Sequence, residues 1–101
     1  MTITTIYNDQ TITIERGEYA DPFSNPLALV AYAGDDLYDQ LSVNLPAYRT
    51  SNEDCFFVSS DSFSHGLIRH LEDEGIIQNT GVTVEYGSFD SSATEYELLA
   101  D

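Results

Sequence analysis

Lysine is absent from this chain and arginine occurs only as Arg16, Arg49 and Arg69, so very little opposes 18 aspartates and glutamates. The formal net charge is −15. A protein that binds nucleic acid directly uses basic groups to displace counterions from phosphates, and this chain has too few to do so. An anionic membrane surface is disfavoured on the same ground. Cysteine occurs once, at Cys55, which excludes an internal disulfide and gives no support for an oxidising compartment. No apolar run approaches the length of a membrane span, and the opening Met1-Thr2-Ile3-Thr4 lacks the basic region of a signal peptide. A soluble cytoplasmic protein is the expectation. Glycine-rich phosphate loops are missing as well.

What is present suffices for a folded body. Hydrophobic residues make up 42% of the 101 residues, which sets the chain apart from a disordered acidic tail and predicts one compact domain over residues 1–101. The organising stretch is Leu27 to Leu45, two apolar arms around Gly34-Asp35-Asp36, read as a central β-hairpin. Its second arm alternates, with Leu41, Val43 and Leu45 on one face and Gln40, Ser42 and Asn44 on the other. The first arm is apolar on both faces, which predicts an interior strand.

A second hairpin is predicted from Thr2 to Glu15. Turning at Asn8-Asp9 and pairing Tyr7 with Gln10 brings Ile3 opposite Ile14 and Thr5 opposite Ile12. A polar loop from Arg16 to Pro26 follows, with Tyr19 and Phe23 as anchors, and Asn25-Pro26 sets the start of the next strand. Pro46 ends the central hairpin, Ala47 to Asp54 reads as an exposed loop, and Phe56-Phe57-Val58 as a buried strand.

The period then becomes helical. Phe63, Leu67, Ile68 and Leu71 predict a helix from Ser62 to Glu74, with Asp61 or Ser62 as N-cap and Gly75 as the residue past its end. Strands over Gly81–Tyr86 and Thr94–Ala100, joined by a loop from Gly87 to Ala93, complete the chain. The expected fold is α+β: an antiparallel sheet of about five to six strands with one helix packed across it.

Candidate chemistry is sparse. Asp35, Asp36 and Asp39 lack the spacing of a calcium loop, and His65 and His70 lack a zinc pattern, so no metal and no cofactor is expected. Cys55 beside Phe56-Phe57 reads as a small core hydrophobe, and nothing assembles a nucleophilic triad. The expectation is a protein that is not an enzyme.

Acids are spread along the whole chain, so they must decorate a folded surface. Glu72, Asp73 and Glu74 occupy a last helical turn, where the macrodipole disfavours negative charge by roughly 0.3–1 kcal/mol each. Glu85, Glu95 and Glu97 could form a carboxylate cluster on the sheet's outer face if the last two strands pair. Tyr38 and Tyr48, in or beside loops, are the tyrosines placed to contact a partner. Such a surface suits a cationic partner, and two readings compete on composition. A rigid array of carboxylates can imitate a phosphate backbone in a basic groove. A lysine-free acidic surface also suits salt adaptation, in a structural or adaptor protein without mimicry.

Asn25-Pro26-Leu27-Ala28, Leu41-Ser42-Val43-Asn44-Leu45-Pro46, Phe57-Val58, Leu71 through Gly75-Ile76-Ile77, Thr80-Gly81 and Tyr96-Glu97-Leu98 resemble a family of small acidic proteins of phages and mobile elements. The resemblance implies an accessory protein of mobile DNA, in the manner of anti-CRISPR or anti-restriction inhibitors that act as DNA mimics. On that basis the expected partner is a basic DNA-binding protein or CRISPR effector subunit, with the DNA-recognition subunit of a type I complex favoured, and the inhibitor is expected to be a monomer. Its contacts are expected from Asp35, Asp36, Tyr38, Asp39, Glu72, Asp73, Glu74, Glu85, Glu95 and Glu97.

Overall fold

The computed structural model describes residues 2–19, 27–45, 48–86 and 91–99. The N-terminal hairpin, β1 (Thr2–Tyr7) and β2 (Gln10–Gly17), has the predicted register: Ile3 faces Ile14, Thr5 faces Ile12 and Tyr7 faces Gln10. Asn8 and Asp9 adopt φ of 51° and 62°. Two successive positive φ angles define a type I′ turn, and Asn and Asp are the non-glycine residues that best tolerate them.

Next come β3 (Ala28–Ala33) and β4 (Asp36–Gln40), and the first sheet has the order β1-β2-β3-β4. The interior position of β3 fits its two apolar faces, but its partner β4 is an edge strand, so the hairpin lies at one side of the sheet. Its second arm is also shorter than the alternation predicts. After Gln40 the chain turns, with the Leu41 and Ser42 amides both donating to the Leu29 carbonyl at 2.9 and 3.4 Å. Val43 then forms a lone antiparallel bridge with Phe57 in another sheet. Leu41 therefore packs in the main core, while Val43 and Leu45 pack with Phe57 and Ala93 in a smaller cluster.

That other sheet contains β5 (Cys55–Ser59), β6 (Ile77–Tyr86) and β7 (Ser91–Leu98) in the order β5-β7-β6. One sheet of five to six strands was the expectation; two antiparallel sheets, of four and three strands, are found. The split occurs because Leu41–Leu45 crosses between sheets and so cannot extend β4. β6 also begins earlier than expected, at Ile77, with its register shifted between Asn79 and Thr83, where Gly81 takes φ 87°.

The helix α1 (His65–Asp73) packs Leu67, Ile68 and Leu71 against both sheets: Ile12, Ile14 and Leu29 of the first, Phe56, Val58 and Ile77 of the second. Burying each such side chain contributes about 1.5–3 kcal/mol. The fold is thus α+β, with one helix packed against two antiparallel sheets. Helix termination follows the sequence. The Ile76 amide bonds the Leu71 carbonyl at 2.9 Å and the Gly75 amide bonds that of Glu72 at 3.0 Å, a Schellman motif with Gly75 at φ 74°.

Helix initiation does not follow it. Ser64 is the N-cap and its hydroxyl makes no capping bond; it donates instead to Asp39 of β4. With the start moved to His65, Phe63 leaves the apolar stripe and stands fully exposed. Tyr19 anchors its loop as expected, its hydroxyl lying 2.7 Å from Ser42 Oγ and accepting from Gln40 at 3.1 Å. Phe23, Asn25-Pro26, Pro46, residues 87–90 and Ala100 lie outside the described residues.

Gly66 leaves room for the Tyr7 side chain against the helix, since a Cβ there would overlap the Tyr7 hydroxyl. Glycine inside a helix otherwise costs about 0.8–1.0 kcal/mol relative to alanine. Gly66→Ala is therefore expected to bring no net stabilisation in the parent chain, yet to stabilise a Tyr7→Phe background by up to about 1 kcal/mol. Urea unfolding of the four proteins measures that coupling.

Candidate partner-binding surface

Among the described aspartates and glutamates only Glu95 is buried, at 1% exposure; the others are exposed or half-buried. Cross-strand pairing explains the exception. Glu95 of β7 sits opposite Phe57 of β5, on the face that carries Ala93 and Val84, and Val43, Leu45, Tyr48 and Ser51 lie over that face. Its carboxylate accepts the Ser51 amide and hydroxyl, both at 2.7 Å, and the Thr80 hydroxyl at 2.6 Å. A buried carboxylate requires such donors, because an unpaired charge in the interior costs several kcal/mol.

The expected cluster of Glu85, Glu95 and Glu97 is not formed. Glu85 pairs with Ser92 and so belongs to the opposite face of the sheet from Glu95, while Glu97, half-buried, accepts from Asn52 Nδ2 at 3.1 Å. Alternation within each strand does not fix how the two strands pair, and the pairing found puts Glu85 on the face of Ser92 and Tyr96. Of the segment expected as an exposed loop over Ala47 to Asp54, Ala47 lies outside the described residues and Arg49, Ser51, Asn52 and Glu53 are exposed, but Thr50 is buried, and Tyr48 packs with the Phe57 cluster and donates its hydroxyl to the Glu85 carbonyl. Tyr48 is therefore a packing residue. Tyr38, on the edge strand β4, is exposed.

The other acids fall into two groups. Asp35 and Asp36 are exposed at the β3–β4 turn, where Asp35 joins Thr13, Glu15 and Tyr32 along a shallow groove of about 340 Å³. Asp39 is half-buried against Ser64, beside the N-terminus of α1, where a carboxylate meets the favourable end of the helix dipole. At the other end of the helix, Asp73 is exposed and Glu74 is tied down. Thr5 donates to the Glu74 carboxylate, and His70 Nε2 lies 2.8 Å from that carboxylate and 2.9 Å from the Thr5 hydroxyl. The acid at the unfavourable helix end thus has a local reason, linkage to β1. Glu72, half-buried, lies near Tyr96, whose hydroxyl pKa is raised by burial and then by the Glu72 charge. Of the three arginines, Arg16 is ion-paired to Asp54 at 2.8 Å, a partly exposed contact worth up to about 1 kcal/mol.

Cys55 is fully buried, as its apolar surroundings suggest. Burial, followed by the charges of Glu95, Glu97 and Asp54, pushes its thiol up to about 11. No group of three or more His, Cys, Asp or Glu side chains among the described residues could hold a metal ion. No helix among them is long and apolar enough to cross a membrane. Comparison of the chain with protein-family models, with curated proteins and with solved structures yields no match. The resemblance to mobile-element proteins therefore rests on the short segments quoted above.

Three outcomes test this arrangement. Glu95→Gln places an NH2 against donors and is expected to lower unfolding free energy by about 1–3 kcal/mol, whereas Glu97→Gln changes it by less than about 0.5 kcal/mol in urea melts. Cys55 should not react with an aromatic disulfide reagent at pH 8 until urea unfolds the chain, because the thiolate is the nucleophile and the folded thiol keeps its proton. Its raised pKa also has a stability consequence: between about pH 9 and 11 the unfolded thiol ionises and the folded one does not, so stability falls as pH rises.

Proposed function

We propose that this protein is an anti-defence inhibitor, an anti-CRISPR or anti-restriction factor of a phage or mobile element that acts as an acidic DNA mimic. It occupies the basic surface on which a host nuclease complex would receive DNA, with the DNA-recognition subunit of a type I CRISPR complex as the favoured target. The supporting observation is charge density on a packed framework. A net charge of −15 over a longest extent of 36 Å amounts to roughly one negative charge per 2.4 Å, against about one per 1.7 Å of duplex axis. The described acids other than Glu95 are exposed or half-buried on strands, turns and the helix end, so the packed elements hold their spacing.

The proposed contact set is Asp35, Asp36, Tyr38 and Asp39 on and beside β4, Glu72, Asp73 and Glu74 at the helix end, and Glu85 and Glu97 on opposite faces of the second sheet. Glu95 is withdrawn from it by burial. Because no single carboxylate dominates such an interface, single charge reversals should weaken inhibition only slightly, by about 1 kcal/mol or less, and reversal of a whole cluster should weaken it strongly.

The deciding experiment is affinity capture from host lysate, followed by competition with duplex DNA and with salt. A DNA-binding complex released by both is the expected result, with affinity falling roughly tenfold or more as salt rises beyond the Debye-screening range. Capture of a partner indifferent to DNA and salt, or unchanged inhibition after each cluster is reversed in turn, overturns the proposal. Cooperative folding in dilute buffer is expected too; a fold that forms only in molar salt would instead mark a salt-adapted protein.

A further inference from the structure

Phe63 has no role in the core. It is fully exposed, just ahead of α1, in a chain whose other phenylalanines among the described residues, Phe56 and Phe57, are buried. It also lines an open cleft of about 330 Å³ between two segments: the crossover that leaves β4, and the turn joining β5 to α1. Asp39 stands on the first wall, and Asp61 on the second. Both carboxylates are positioned by hydroxyls, Asp39 by Ser64 and Asp61 by Ser91 at 3.1 Å. Each retains acceptor capacity, since an ionised carboxylate offers about four lone-pair sites.

We infer that this cleft receives an arginine side chain of the basic partner. The inference rests on the proposal that the partner is a basic DNA-binding protein, and it names the site at which one of that partner's cations is gripped. The complementarity is chemical. A guanidinium is planar, weakly hydrated and forked, so it can stack on an exposed phenyl ring while donating to carboxylates beside it. An ammonium matches the charge but neither the plane nor the fork. A neutral or anionic ligand would meet two carboxylates on a body of charge −15. The carboxylates away from the cleft supply long-range attraction; the cleft supplies a preference for one cation over another.

The probes are two blocked tripeptides, Gly-Arg-Gly and Gly-Lys-Gly, titrated into the 15N-labelled full chain. The expected result is amide shifts concentrated at Gln40–Asn44 and Ser59–Phe63, with the arginine peptide binding several-fold more tightly. Phe63→Ala should weaken that binding roughly fivefold. Since Phe63 is fully exposed, its truncation leaves the core intact; Asp61→Asn provides an independent second variant with the same expected direction. Shifts scattered over the acidic surface, equal binding of both peptides, or unchanged binding by both variants overturns the inference. The two proposals fail separately. A DNA-displaced complex that Phe63→Ala and Asp61→Asn capture as well as the parent does removes the cleft and leaves mimicry standing. Arginine-selective binding at the cleft, with no DNA-competed partner in lysate, supports the cleft and removes mimicry.

Discussion

The five residues that leave β4 hold this protein together. Leu41 and Ser42 both donate to the Leu29 carbonyl, so the backbone turns away from the first sheet while remaining bonded to it. Val43 then pairs with Phe57 and delivers Leu45 to the outer side of the second sheet. Leu41 enters one apolar cluster and Leu45 the other. The Ser42 side chain reinforces the turn by accepting the Leu29 amide at 3.0 Å, and Tyr19 closes over it. Because this crossover occupies the space beside β4, the sheets remain separate, the helix is sandwiched against both, and the cleft under Phe63 opens along the crossover's flank.

A chain of this charge must fold against its own repulsion. Among the described acids all but Glu95 are exposed or half-buried, where salt screens their mutual repulsion beyond about 10 Å at 0.1 M. The one acid taken inside, Glu95, serves a different purpose from the rest. With three donors it fixes the 48–52 cover to β7 and β6, in the role that a short hydrogen-bonded strand would otherwise fill. Charge in this protein therefore has two separable jobs. Buried, it specifies how a loop is seated; exposed, it forms the surface proposed to meet a basic partner.

Short-range chemistry was well represented in the sequence. The Asn8-Asp9 turn and the register behind it, the helix stop at Gly75, the apolar helix face and the burial of Cys55 all depend on residues within a few positions of one another. Their geometry is dictated by φ preferences and side-chain periodicity. The β4–β5 crossover was not legible because Leu41, Val43 and Leu45 alternate as a strand would, whether they share one core or divide between two. Phe63 was misplaced for a related reason. Its spacing to Leu67 fits a helical stripe, but the helix begins at His65, after Ser64 turns its hydroxyl to Asp39, 25 residues away.

By itself the sequence determined the class of fold, most of the strands and the helix, the sign and scale of the surface charge, and the absence of a disulfide. Those properties are sums over composition or consequences of local conformational preference. Only the tertiary structure decided which carboxylates reach solvent and which aromatic is left outside. Glu85, Glu95 and Glu97 look alike in the sequence, yet one is buried, one half-buried and one on the opposite face of the sheet. Their fates depend on how β6 pairs with β7 and on a cover supplied from 44 residues away, through the bonds of Ser51 to Glu95. No local preference carries such information, because contacts between distant segments are selected only when the whole core closes.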